Sequence, residues 1–226
     1  TEENRPIFTG CLFEIKNNKL NVVAVDGFRL AWKSKFLQSK TNDFTAVIPG
    51  RTLNEINKII LDSYDTIKIG VAKNQALFEM ENCKIVTRLL DGEFLNYGSV
   101  IPENWETRIR VDKSAIQECF ERISLISSSS IEKEKKYPVK VNIDIGKVTI
   151  SCTNQTGDAK EEMYISTEGK NLEAGFNPKY FLDAFRAIDD QEVYIDFGTS
   201  ISPCIIRPVE EGGDYVYMVL PIRMKE

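Results

Sequence analysis

The 226-residue sequence contains no histidine. That removes the commonest general base and the commonest metal ligand, so catalysis would have to rest on carboxylates, lysines or tyrosines. The five cysteines, Cys11, Cys83, Cys119, Cys152 and Cys204, are odd in number, far apart and without a CxxC pair. Neither a disulfide framework nor a thiolate metal site is expected; reduced, buried thiols are. No apolar run approaches the roughly 20 residues that span a bilayer, so membrane insertion is not expected. No basic segment followed by an apolar one precedes Arg5, so no signal peptide is visible, and the start at Thr1 reads as truncated or processed. Positive charge is also in short supply, with 29 Lys and Arg against 34 Asp and Glu and a net charge of −5. This argues against a nucleic-acid binder held by bulk electrostatics, and leaves room for a local basic face.

What is present is a globular composition, 42% hydrophobic and 28% charged, in a chain long enough for two domains of ordinary size. The chain also repeats itself. KLNVVAVD from Lys19 matches KVTISCTN from Lys147, 128 positions on, and at the same displacement IPGRTLNEI from Ile48 falls on FNPKYFLDA from Phe176. Pro49-Gly50 and Asn177-Pro178 thereby mark two equivalent helix starts. Alternating strands are expected after each helix, over 66–71 and 78–90 in the first unit and over 192–197, 204–207 and 215–222 in the second.

A helix over 112–126, with Ala115, Ile116, Cys119, Phe120 and Ile123 on one face, has no counterpart in the first unit. The repeat thus implies that the first unit has lost an opening strand and helix that a longer parent supplied. SSSSIEKEKK, residues 127–136, reads as a polar, mobile connection. Helices on one face of antiparallel strands, twice over, give an α+β fold.

One stretch stands out, VVAVDGFRLAWKS from Val22. Asp26-Gly27 between apolar runs reads as a tight turn with positive φ at the glycine. Phe28, Leu30 and Trp32 share one strand face, while Arg29 beside the turn is reachable from solvent.

TGCLFE at Thr9, VAVDGFRLA at Val23, LLDGEFLNY at Leu89, GFNPKYFLDAF at Gly175 and YMVLPIRM at Tyr217, in this order, resemble the bacterial DNA polymerase III β sliding clamp family over nearly the whole chain. The resemblance implies repeated DNA-clamp domains: a middle domain over 1–105, lacking its first strand and helix, and a C-terminal domain over 106–226. It also implies a cytoplasmic, non-catalytic processivity factor that encircles duplex DNA, needs no cofactor or metal, and closes as a head-to-tail homodimer of three-domain chains. Partners would be the polymerase III α subunit, the clamp loader, repair polymerases and other proteins carrying a short clamp-binding peptide.

The peptide cleft implied by the resemblance comprises Phe8, Val25, Gly27, Phe28, Arg29, Leu30, Leu95, Ser99, Val100, Met218, Val219, Leu220, Pro221, Ile222, Arg223 and Met224, with Asn177, Tyr180 and Pro203 on its rim. Apolar groups around a concavity can desolvate peptide anchors, and methionines adapt to several ligands. Phe28 stands where the family often has His, Leu95 where it has Pro and Ser99 where some members have Arg, which bears on peptide preference. Leu125 and Ile126 match apolar positions of the ring contact, so a chain with only this side of it is expected to stay monomeric, or to form a weak non-native pair that hides this patch.

Family helices line the central hole, and the repeat offers a test. Arg51 and Lys58, seven apart on one helix face, map onto Lys179 and Arg186. Leu53, Ile56 and Ile60, and Phe181, Ala184, Phe185 and Ile188, are expected to face the sheets. Such a stripe suits sequence-blind phosphate contact. Glu55 and Asp183, also repeat-equivalent, suit intrahelical ion pairs, and Arg5 matches a position near the hole. Two other readings stand beside this one: a hydrolase or transferase using Asp26, Asp91 or Asp183, for which no triad or metal constellation is visible, and a two-domain adaptor without a DNA role.

Overall fold

Alternation of apolar and polar residues converts most of the chain into antiparallel strands, and the few stretches with helical spacing lie against them. The structure, a computed structural model, describes residues 5–38, 40–60, 66–81, 83–128, 138–155, 157–210 and 212–224. It divides into two units, Thr1–Gly27 with Trp32–Tyr97, and Phe28–Ala31 with Gly98–Glu226.

In the first unit β1 (Gly10–Lys16), β2 (Lys19–Val25), β3 (Arg29–Phe36) and β4 (Phe44–Pro49) form a sheet in the order β3-β2-β1-β4. α1 (Gly50–Ile59) follows directly, and β5 (Lys68–Val71), β6 (Gln75–Met80) and β7 (Cys83–Arg88) make a second sheet. Phe13, Ile48, Ile56, Ala76 and Phe78 form the core between them. On the other face of β1, Glu14 is buried and accepts from the Tyr97 hydroxyl at 2.8 Å and pairs with Lys16 at 2.7 Å.

The second unit opens with β8 (Thr107–Asp112) and α2 (Lys113–Ser128), continues through β9 (Val139–Asp144), β10 (Lys147–Asn154), β11 (Gly157–Tyr164), β12 (Ser166–Gly169) and β13 (Leu172–Phe176) to α3 (Pro178–Arg186), and closes with β14 (Glu192–Phe197), β15 (Cys204–Pro208) and β16 (Tyr215–Val219). One sheet runs β11-β10-β9-β13; in the other, β12, β8, β14, β15 and β16 follow one another, with residues 28–31 beside β16. The core carries an aromatic cluster in which Phe120 stacks on Phe181 at 4.7 Å and Phe176 meets Phe181 edge-on at 5.2 Å. Each such ring, fully buried, contributes about 1.5–3 kcal/mol.

The displacement of 128 carries Gly50, the start of α1, onto Pro178, the start of α3, and carries β3 onto β11 at both ends. α3 starts where expected because the Asn177 Oδ1 accepts from the Lys179 N–H and Pro178 needs no partner for a missing one.

Several expectations change. The strand expected over 78–90 is the second strand of one hairpin and the whole of another strand, and β5 begins at Lys68 rather than at 66. β16 ends at Val219, before Pro221, which cannot donate to a ladder; Ile222 makes only an isolated bridge to Gly175. α2 begins after Asp112, whose carboxylate caps it by accepting from the Ala115 N–H at 2.7 Å, and it absorbs Ser127 and Ser128. The remainder of the 127–136 connection lies outside the described residues. Gly27 is not among the glycines with positive φ, because three residues rather than two separate β2 from β3. Ile60 lies past the end of α1 and is 38% exposed instead of facing the sheet. Cys119, Cys152 and Cys204 are buried as expected, but Cys11 and Cys83 are half-exposed.

Candidate binding surfaces

Arg29 is the centre of an organised surface group in the second unit. Its guanidinium lies 4.5 Å from the centre of the Tyr180 ring and donates to the Asp183 carboxylate at 2.6 Å. Tyr180 and Asp183 are three apart on α3, hence neighbours on one helix face, and the capped start of α3 fixes both. The Phe28 ring lies near-parallel to Tyr180 with centroids 6.2 Å apart, and Phe28 is 53% exposed. Arg29 is therefore a held cation above an aromatic ring rather than a solvated strand end. Asp183 takes this cation as its short-range partner, and its contact with Arg186, expected from helical spacing, is 3.8 Å long.

The chain end completes this group. The Leu220 N–H donates to the Phe28 carbonyl at 2.8 Å, and the Ile222 N–H to the Gly175 carbonyl at 2.7 Å. Gly175 lets the chain end lie close: a Cβ would stand 2.8 Å from the Met224 Cγ and 3.1 Å from the Ile222 carbonyl oxygen. Leu220, Pro221 and Met224 are half-buried, and Ile222 and Arg223 are exposed, so this segment lays an apolar strip beside Phe28. Leu30, Met218 and Val219 are buried. Asn177, Tyr180, Pro203 and Val100 are half-exposed and Ser99 is exposed.

Of the expected cleft residues in the first unit, Val25 and Leu95 are half-buried and Gly27 is exposed. Phe8 packs edge-on against Phe94 at 5.7 Å, with the exposed Arg5 5.8 Å above its ring.

On α1, Arg51 and Lys58 are exposed while Ile56 is buried; on α3, Lys179 and Arg186 are exposed while Phe181, Ala184 and Phe185 are buried. Lys58 pairs with Glu55 at 2.9 Å, and Arg186 approaches Glu121 and Asp183 at 3.8 Å. At the end of α2, Leu125 is 68% exposed, and Ile126 is half-buried against the core. Asp183 and Phe94 were not picked out beside the candidate surface residues from the sequence, since only long-range contacts place them against Arg29 and Phe8. Among the described residues, no group of three or more His, Cys, Asp or Glu side chains could hold a metal ion, and no helix is long and apolar enough to cross a membrane.

These features can be set beside known proteins. The sequence matches two families in series: DNA polymerase III beta subunit, central domain, over residues 1–96, and DNA polymerase III beta subunit, C-terminal domain, over residues 98–223. It is 33% identical over 225 residues to a beta sliding clamp of Staphylococcus epidermidis, and 34% identical over 226 residues to that of Staphylococcus aureus, covering 99% of this chain and 58% of each relative. The DNA polymerase sliding clamp of Bacillus subtilis has a similar structure, with a TM-score of 0.93 at 30% identity over 100% of this chain and 59% of that one. A putative DNA polymerase III beta subunit of Eubacterium rectale gives 0.91 at 34% identity over 98% and 59%. The chain thus spans about 58% of the length of the curated relatives it matches. By two matches that together cover nearly all of it, the chain belongs to the DNA polymerase III beta subunit family, in its central and C-terminal domains.

Proposed function

We propose that this chain supplies two domains, over 1–105 and 106–226, of a sliding clamp, a non-catalytic, cytoplasmic processivity factor that encircles duplex DNA and docks partner proteins through short peptides. The observation that carries the reading is the apolar strip of Leu220, Pro221 and Ile222 beside the exposed Phe28 and its half-exposed neighbour Tyr180, with Arg29 held by Asp183 at its edge. Exposed apolar groups next to a fixed cation suit an extended peptide with hydrophobic anchors and a polar residue. The polymerase III α subunit, the clamp loader and repair polymerases are the partners proposed for it.

The DNA role rests on Arg51, Lys58, Lys179 and Arg186, which are exposed on the outward sides of two repeat-equivalent helices. Weak contacts of this kind permit sliding, since enclosure supplies retention. Assembly rests on the edge position of β11 among the described strands and the exposed Leu125 nearby on α2, whose Arg122 binds Glu161 of that strand at 2.7 Å. A head-to-tail ring needs two different complementary surfaces, so the 226-residue chain alone is expected to be monomeric. Light scattering over a concentration series, alongside retention on nicked circular DNA, tests this: a stable closed ring formed by this chain alone would refute the domain assignment.

A further inference from the structure

A second built site lies on the sheet of β8, β14 and β15, among residues that belong to neither the peptide strip nor the basic helix faces. Antiparallel register sets Arg108 opposite Asp196 and Tyr194 opposite Arg207, so all four side chains share one face. Asp196 is 3% exposed. Its carboxylate accepts from Nε and Nη2 of Arg108 at 2.6 and 3.0 Å, from Nε of Arg207 at 2.5 Å, and from Nη2 of Arg207. The Arg108 guanidinium lies 4.5 Å from the ring centres of both Trp105 and Tyr194. Two arginines are thus fixed in place, each through the same two nitrogens, and no hydrogen bond is made by Nη1 of either among the described residues. Both arginines line one cavity of about 410 Å³, together with Tyr194, Pro208, Val216 and Glu210.

We propose that this cavity receives a carboxylate of a bound polypeptide, with an adjacent apolar side chain lying against Pro208, Val216 and Tyr194. A guanidinium whose orientation is already set by a buried carboxylate and two rings loses little freedom on binding an oxyanion. Register also sets the exposed Glu168 opposite Arg108, so Asp196 and Glu168 together balance the two arginines, and the site favours a single carboxylate through its oriented Nη1–H donors rather than through net charge. Glu210, exposed on the cavity wall, opposes a dianion such as phosphate. The proposal is independent of the clamp reading.

The test follows the Nε–H resonances of Arg108 and Arg207 in the 15N-labelled 226-residue chain. N-acetylphenylalanine, its carboxamide, N-acetylglutamate α-methylamide and inorganic phosphate are titrated in turn. Saturable shifts of both signals with N-acetylphenylalanine, absent with the carboxamide, are expected, as is affinity at least about tenfold weaker in Arg207→Lys, which keeps a cation beside Asp196 but loses the fork. Response to the glutamate probe as well assigns the site to acidic side chains; response to N-acetylphenylalanine alone assigns it to a chain terminus. Equal shifts with the carboxamide, or tighter binding of phosphate, overturn the proposal. These titrations use the unaltered chain, so they decide the matter even if the variant does not fold.

Discussion

Arg29 and Asp183 are 154 positions apart and meet at 2.6 Å, with Tyr180 beneath the guanidinium. Both side chains remain about one-third exposed, so the ion pair itself adds no more than about 1 kcal/mol to stability. Its larger effect is to hold Arg29 in one orientation beside Phe28. Asp183→Ala is therefore expected to weaken peptide binding roughly three- to tenfold while barely moving the melting temperature, as calorimetry and thermal unfolding would show. This partnership was not legible in the sequence, where helical spacing pointed Asp183 to Arg186, because a contact across that separation has no local signature. The exposure of Arg51, Lys58, Lys179 and Arg186 was legible, since an internal repeat displays one pattern twice. Glu14 gives a pH prediction. Burial acts to raise its pKa, but hydrogen bonds from Lys16 and Tyr97 and the Lys16 charge outweigh it and hold the carboxyl below the usual range. A depressed folded-state pKa contributes stability that is present above the unfolded value and is lost as pH falls through the folded one. Glu14→Gln should therefore flatten the acid limb of a pH–stability curve, and an equally steep limb would assign it to other carboxylates.

The elements were read best where a local rule acts alone. The helix start at Asn177-Pro178 follows from capping chemistry, that at Pro49-Gly50 comes without a side-chain cap, and β14 falls over 192–197 as expected because its alternation is unbroken. Ends were read worse. Nothing local said that the run over 78–90 turns back on itself, or that Ser127 and Ser128 join α2, since tertiary packing decides both. The turn from β12 toward β13 carries the sharpest constraint: Gly169 has φ +96°, and a Cβ there would stand 1.9 Å from the Glu106 carbonyl oxygen. Gly169→Ala should destabilise the second unit by about 2–4 kcal/mol, since backbone must move and an L residue is strained at that φ. Denaturant unfolding checks it, and a change below about 0.5 kcal/mol would mean that the turn relaxes freely. The segment after β16, on which the proposed peptide docking would depend, is anchored by the Leu220 and Ile222 hydrogen bonds.

At the scale of the whole molecule, the α+β class and the two-unit plan follow from a repeat, whereas the chain's span of about 58% of its curated relatives emerges only beside them. Replacing Arg51, Lys58, Lys179 and Arg186 by alanine in a full-length parent should weaken retention on DNA without sequence dependence. The plot of log affinity against log salt should become shallower by about 0.9 for each phosphate no longer neutralised, with peptide binding unchanged. An unaltered salt slope would leave these residues as solvated helix charges. The central claim is that a peptide-docking surface is built on Phe28, Arg29, Tyr180 and the segment after β16. Its most direct test is calorimetric titration of the intact chain, and of a chain lacking residues 220–224, with a short peptide carrying a glutamine and terminal hydrophobic anchors. The account predicts saturable one-to-one binding to the intact chain and none to the shortened, still folded one; undiminished binding after the truncation would contradict it.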